Sequence, residues 1–423
     1  MPLKHTVQEV ELSAGGKGLL VHVPDSTVVS CIIGFRAGYM YTSDRSIQQV
    51  AHLVEHIVAN SKDSKDFSRN GANSGATTSQ IDMIYSLACA QFEWRRILSL
   101  MQSAISNPDF TSDILEAEKG NVRGELTGNT QAAVREMLFK MDKAMGGVVL
   151  TDPEKLATLE KVSIEEVVRH YEYTHTRQNM RFVLAGDLGA NTQEITELFE
   201  VWALKDGDRL ALTPQNYHAS DPVLVSQNDR EGLNFCIYFM APRRLTTPEF
   251  IAFRALNHIL TGTFHSRIFG EARRRGICYN VRSRTTDYYA DANMSNWSFS
   301  GQVHSDNADE LFSLIRDELM HVLNGGLRQD EIDDAKQYLT GYYQMQRQTV
   351  SSLADWYAEE YLFSDTYEPL EDIQKHIDVI TLDQVRSLAQ QFMNVGIWTL
   401  GEVGASSEAD LARHHKILAE LFA

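Results

Sequence analysis

At 423 residues with 43% hydrophobic content, the chain is longer than one hydrophobic core usually organises and rich enough to fill two, so at least two domains of about 200 residues are expected. A formal charge of −18 and a pI near 5.2 argue against a nucleic-acid or anionic-membrane partner by long-range repulsion and favour neutral or cationic ligands, solubility being the other reading of that charge. Cys31, Cys89, Cys236 and Cys278 show no C-x-x-C spacing and read as buried, reduced thiols. The start Met1-Pro2-Leu3-Lys4-His5 lacks an apolar leader, and no stretch nears the roughly 18 apolar residues of a membrane span, so a soluble cytoplasmic protein is expected.

Along the chain, an apolar strand from Val28 to Phe35 leads to a helix from about Ser46 to Ala59. Ser163-Ile164-Glu165-Glu166 reads as a capping box that starts a helix. It is followed by a strand from Arg181 to Ala185 and a turn at Gly186-Asp187-Leu188-Gly189. Residues from Lys205 to Gln227 mix Asp, Gly, Pro, Asn and Ser without periodicity, as a linker does. The same order then returns at an offset of roughly 200 residues. Its elements are a strand from Leu233 to Met240, a helix from about Pro248 to Leu260 with proline at its start, a box at Thr381-Leu382-Asp383-Gln384, a strand from Ile397 to Leu400 and a turn from Gly401 to Gly404. The reading is an α+β fold of two similar domains, each an antiparallel sheet with helices packed on it: 1–204, a linker over 205–227, and 228–423.

Within the first helix, Ala51-His52-Leu53-Val54-Glu55-His56 holds the pattern H-x-x-E-H. Imidazoles four residues apart share one helical face and can bind one metal ion. Glu55, three residues after His52, points to that side and can reach a metal-bound water without being a ligand. A catalytic zinc takes three protein ligands and keeps one position open. The stretch from Leu115 to Leu126 offers a carboxylate, with Glu118 and Glu125 two turns apart on one face; a solvated acidic face is the other reading of those two residues.

H-x-x-E-H followed by Glu-x6-Glu resembles the inverzincin, or pitrilysin-like, zinc metallopeptidases of the M16 family in their small two-domain form, over nearly the whole chain. The resemblance implies that His52, His56 and Glu125 bind Zn2+, that Glu118 supports them from behind, and that Glu55 is the general base. It implies an endopeptidase that hydrolyses peptides or unfolded segments inside an enclosed chamber, with a second domain lacking the metal. In the repeat, Arg254 stands at the place of His52, Asn257 at that of Glu55, Lys336 at that of Glu118 and Tyr343 at that of Glu125. Gly75, Ala76 and Thr77 resemble the family's peptide-pairing edge strand, with Gly75 where the family usually has Asn. Tyr279 resembles a substrate-holding tyrosine whose arginine partner is replaced by Ala272, beside Arg273, Arg274 and Arg275. Small relatives complete the enclosure by pairing, so a homodimer, or a heterodimer with a related chain, is implied. The reading from another class is a non-catalytic or partner-dependent subunit of a related peptidase complex.

Overall fold

The computed structural model describes residues 3–60, 64–128, 131–212, 214–227, 232–241, 243–286 and 294–422. The chain folds as two compact units. The first comprises Met1–Gly128, Asp152–Leu212 and Tyr343–Glu368; the second comprises Asn129–Thr151, Thr213–Tyr342 and Pro369–Ala423. Each half of the sequence therefore gives one segment to the other unit, which the linear division at 204 and 228 did not anticipate.

The first unit is built on β1 (Thr6–Glu11), β2 (Lys17–His22), β3 (Val28–Arg36), β4 (Asn73–Thr78), β5 (Asp82–Ala90) and β6 (Met180–Gly186), in the order β1-β2-β6-β3-β5-β4. Its pairings are antiparallel except for β2 with β6. All seven residues of β6 are buried, because helices cover both faces of the strand, and such a strand reads as a near-continuous apolar run, here interrupted by Arg181. On one face Phe182 stacks on Phe199 of the helix Thr192–Glu200, their rings 3.7 Å apart. The same ring fills the space a Cβ at Gly18 would need. On the other face lies the helix Val350–Ser364, a contribution from the second half of the chain, which buries Val350, Leu353, Tyr357, Tyr361 and Leu362.

That helix ends at Asp365 in the left-handed region, φ +60°, where the carboxylate receives two bonds of 2.7 and 2.6 Å from Arg181 on β6. Arg36 and Arg209 donate to the carbonyls of Phe363 and Leu362 in its last turn, at 2.6 Å each. Three guanidinium groups thus close the helix's C-terminal end, where orphan carbonyls and the negative pole of the helix dipole favour cations.

The second unit holds β7 (Val223–Ser226), β8 (Gly232–Met240), β9 (Cys278–Thr286), β10 (Asn296–His304) and β11 (Trp398–Gly404), in the order β7-β11-β8-β10-β9 with only β7 and β11 parallel. This is the order of the first sheet without β1. The helix Ala132–Ala144, from the first half of the chain, packs on β7 and β11 as its counterpart does on the first sheet. Met137 and Met141 lie against Val225, Cys236 and Val403.

Three local expectations change. The linker's end, Val223–Ser226, is a strand, because its β-branched residues find a parallel partner in Gly401–Gly404. Gly401 to Gly404 is therefore strand and not turn; Gly401 is needed because a Cβ there would meet Met141. The glycine that matches Gly186 (φ +155°) is Gly404 (φ +135°), each closing its strand in a conformation that L side chains rarely adopt. The four cysteines are buried and free, as the spacing implied. Among the described residues no helix is long and apolar enough to cross a membrane.

Asp82 stands opposite Arg36 in the β3–β5 register and is buried. Burial pushes its carboxyl up to about 6 from an ordinary 3.8, against the opposing pull of Arg209 and Arg36. A carboxyl whose value is raised on folding binds its proton more tightly in the folded state. Its contribution to stability is therefore greatest below about pH 4, declines as pH rises toward 6 and is constant above. Asp82→Asn should remove a decline of about 2 to 3 kcal/mol over that window, measured by urea unfolding of both proteins across pH 4 to 7.

Candidate metal centre

The helix Gln49–Ala59 forms because Val50, Ala51, Leu53, Val54, Ile57 and Val58 bury on the core side, which leaves His52 and His56 half-exposed on the opposite face. It packs against β4 and the helices Ser112–Thr127 and Ile164–Thr174. The second of these begins at the reciprocal Ser163–Glu166 box that its sequence announced. The helix Ser112–Thr127 starts at Thr111, whose hydroxyl accepts the Ile114 amide, and buries Leu115, Glu118, Val122 and Leu126. That periodicity turns Glu118 inward and leaves Glu125 at the rim, 56% exposed in its side chain.

The two imidazole rings stand edge-on at 89° with their Nε2 atoms 3.1 Å apart. Glu125 brings Oε2 to 3.5 Å from Nε2 of His52 and Oε1 to 3.5 Å from Nε2 of His56. Glu118 accepts from Nδ1 of His56 at 2.9 Å, and Gln49 Oε1 accepts from Nδ1 of His52 at 3.1 Å. With both Nδ1 protons so committed, both Nε2 lone pairs face the same space as the Glu125 carboxylate. Three acceptors this close repel one another unless a cation stands among them. The spacing fits one ion, since donors about 2.0–2.1 Å from a tetrahedral zinc lie about 3.3 Å apart. Among the described residues, His52, His56 and Glu125 are the one group placed to hold a metal ion.

Glu118 is held by three donors, His56 Nδ1, Asn60 Nδ2 and Asn121 Nδ2, each at 2.9 Å. Burial alone would raise its carboxyl; the bonds from Asn121, His56 and Asn60 outweigh it and leave the group below its ordinary range, and so charged. Glu55 is 8% exposed and receives one bond, from Thr78 Oγ1 to Oε2 at 2.8 Å. Burial raises its carboxyl, against the pull of Thr78 and His56. Asn60 and Asn121 escaped the sequence reading, although each sits one turn beyond a residue of the site: Asn60 four after His56 and Asn121 three after Glu118.

Gly75, Ala76 and Thr77 lie on β4, the outer strand of the first sheet, with Thr78 ending the strand against Glu55. A Cβ at Gly75 would meet only Ser86 Oγ, at 3.3 Å, so the position has room for a larger residue. Tyr279 belongs to the second unit, at the start of β9; it is 79% exposed, and the Arg273 guanidinium lies over its ring at 4.6 Å. Ala272 is fully buried.

In the second unit the repeat of the Gln49–Ala59 helix carries packing contacts at the matching positions. His258 stacks on Tyr338 at 3.8 Å, Arg254 lies over the Tyr342 ring at 4.9 Å, and Lys336 donates to the carbonyl of Asp378. Asn257, in the place of Glu55, bonds Thr285 on β9 at 2.9 Å and accepts from Trp297 at 3.0 Å.

Residues 18–146 match the family model described as Insulinase (Peptidase family M16), and residues 161–339 match that described as Peptidase M16 inactive domain. An uncharacterised zinc protease of Streptomyces coelicolor is 27% identical over 291 residues, covering 66% of this chain and 61% of that protein, so the chain spans less than two thirds of this relative's length. A solved peptidase M16 inactive domain from Pseudomonas fluorescens has the same fold, with a TM-score of 0.82 at 19% identity over 95% of this chain and 99% of that one. A protease from Helicobacter pylori follows at 0.81 and 16%, over 95% and 100%.

With Zn2+ as the probe ion, Glu118→Gln should lower metal affinity roughly 10- to 100-fold by unfixing His56. Glu125→Gln should lower it further by removing a donor. Competition against a chromophoric chelator reads both, and equal affinities in wild type and Glu125→Gln would place the third ligand elsewhere.

Proposed function

Because this chain belongs to the M16 peptidase family, we propose that it is a zinc-dependent endopeptidase whose chemistry is carried by the first unit. The observation that carries the reading is the convergence of His52 Nε2, His56 Nε2 and the Glu125 carboxylate, at 3.1 to 3.5 Å, beside a buried carboxylate that is not one of the three.

Zinc, when bound, supplies a Lewis acid that acidifies water and polarises a peptide carbonyl. The chain's own residues do the rest. Thr78 occupies Oε2 of Glu55, so Oε1 is the atom left to take a proton from the attacking water and return it to the departing amine. Glu118 keeps the His56 ring turned with Nε2 outward. Among the described residues β4 has no partner on its outer edge, which is free to take an extended peptide. Because Thr78 ends that strand, a peptide added along it passes beside Glu55.

One observation favours a partner-dependent form of the enzyme: Ala272 is buried where the family resemblance places a substrate-holding arginine. A homodimer, or a heterodimer with a related chain, is part of the proposal for that reason.

Glu55→Gln should lower peptide hydrolysis by roughly 10²- to 10⁴-fold while zinc stays near one equivalent by elemental analysis. Hydrolysis at the wild-type rate would sink the assignment of the base.

If substrate enters an enclosed chamber as an extended segment, a flexible peptide should be cut and a tightly folded protein of the same charge spared. Mass in solution, measured alongside by light scattering, should be that of a dimer. Equal cleavage of both substrates would remove the chamber from the model.

A further inference from the structure

We propose that the outward face of β9, around Arg282 and Arg284, binds extended acidic peptide segments. β9 is the outer strand of the second sheet. Val281 and Thr285 are buried, and Ser283 and Thr285 bond inward to Thr261 and Asn257. Strand alternation then turns Arg282 and Arg284 to the opposite face, where both are exposed. Their register partners on β10 are Ser300 and Ser298, small, uncharged neighbours that leave the guanidinium groups uncovered.

Pairing sets these arginines apart. Arg243, Arg267, Arg274, Arg275 and Arg413 of the same unit each hold a carboxylate. Among the described residues, Arg282, Arg284 and Arg273 hold none. Arg273 lies over the exposed ring of Tyr279, which adds a third guanidinium at the start of the strand. In a chain of net charge −18, two such cations on one strand and a third on the helix Phe269–Arg274 before it are a local reversal of sign, and charge complementarity selects an anionic partner.

The spacing selects its form. Arg282 and Arg284 are two residues apart on a strand, roughly 7 Å, which is the repeat of alternate side chains in an extended peptide. An acidic peptide with Asp or Glu at every second position can place one carboxylate on each guanidinium. The backbone edge of β9 is not the attachment, since the Ser283 amide is already bonded to Thr261 Oγ1 at 2.8 Å. Side chains carry the recognition. The inference rests on the peptidase reading for the kind of ligand handled, and it names the substrate class: acidic segments over neutral ones.

The full chain carrying Glu55→Gln binds without cutting, so affinity can be read directly by fluorescence anisotropy. The probes are a labelled peptide of alternating Glu and Ser and its Gln-for-Glu isostere. The Glu peptide should bind roughly 3- to 30-fold more tightly, and the difference should vanish in about 0.5 M salt. It should also vanish in the added pair Arg282→Gln and Arg284→Gln, but persist in Arg328→Gln, which alters a paired surface arginine elsewhere in the unit. Equal binding of the two peptides, a difference that survives in the Arg282/Arg284 variant, or tighter binding of a single-stranded oligonucleotide than of the Glu peptide would each overturn the proposal. Loss of peptide cleavage in the wild type with this charge preference intact would strike the peptidase reading alone.

Discussion

A histidine on a helix can swing about its own side-chain bonds, and two histidines that must meet at one point need something to stop them. Here the stop for His56 is the carboxylate of Glu118, 2.9 Å from Nδ1. That carboxylate does its work only while it is charged, and it stays charged in a buried place because Asn60 and Asn121 share the load with the imidazole. The two asparagines come from different helices, so the bond network also joins the helix of the histidines to the helix of the carboxylates. Once the ring is fixed, the position of Glu125 and the closeness of the two Nε2 atoms follow from helix geometry.

The two sheets record one plan used twice, and their differences show what chemistry requires beyond fold. In each unit a helix side chain bonds a threonine on the outer strand: Glu55 to Thr78 in the first, Asn257 to Thr285 in the second. The amide keeps the shape of that contact and gives up the charge, and with it the ability to take a proton. The His258 ring stacks on Tyr338 instead of facing a partner imidazole. The helix is seated without those polar groups, by its buried apolar residues Ile251, Phe253, Ala255 and Leu256.

Much of this was legible in the sequence, and the physical reason is locality. Two histidines and a glutamate within five residues of one helix fix their own geometry, and capping boxes such as Ser163–Glu166 are complete within four residues. Strand-like apolar runs such as Met180–Gly186 declare burial on both faces. What resisted reading was partnership at long range. An amphipathic pattern shows that Val350–Ser364 buries one side but not which sheet receives it, and it lies on the sheet of the other half. Gly401 looked like a turn residue because the reason for it, Met141, is more than two hundred positions away in sequence. The short strand Val223–Ser226 was hidden for the same reason, since its partner is the last strand of the chain.

The exchange of helices between halves has a consequence for how the molecule is made. During synthesis the first sheet is complete once β6 has emerged at Gly186, yet the helix that covers one of its faces ends at Ser364. Until then the face of β2, β3 and β6 on which that helix packs lacks its cover. The first unit, although it begins the chain, is therefore finished only when Tyr343–Glu368 has been made. A nascent chain carries that face open while residues 187–364 are made, a state in which uncovered apolar surface invites aggregation.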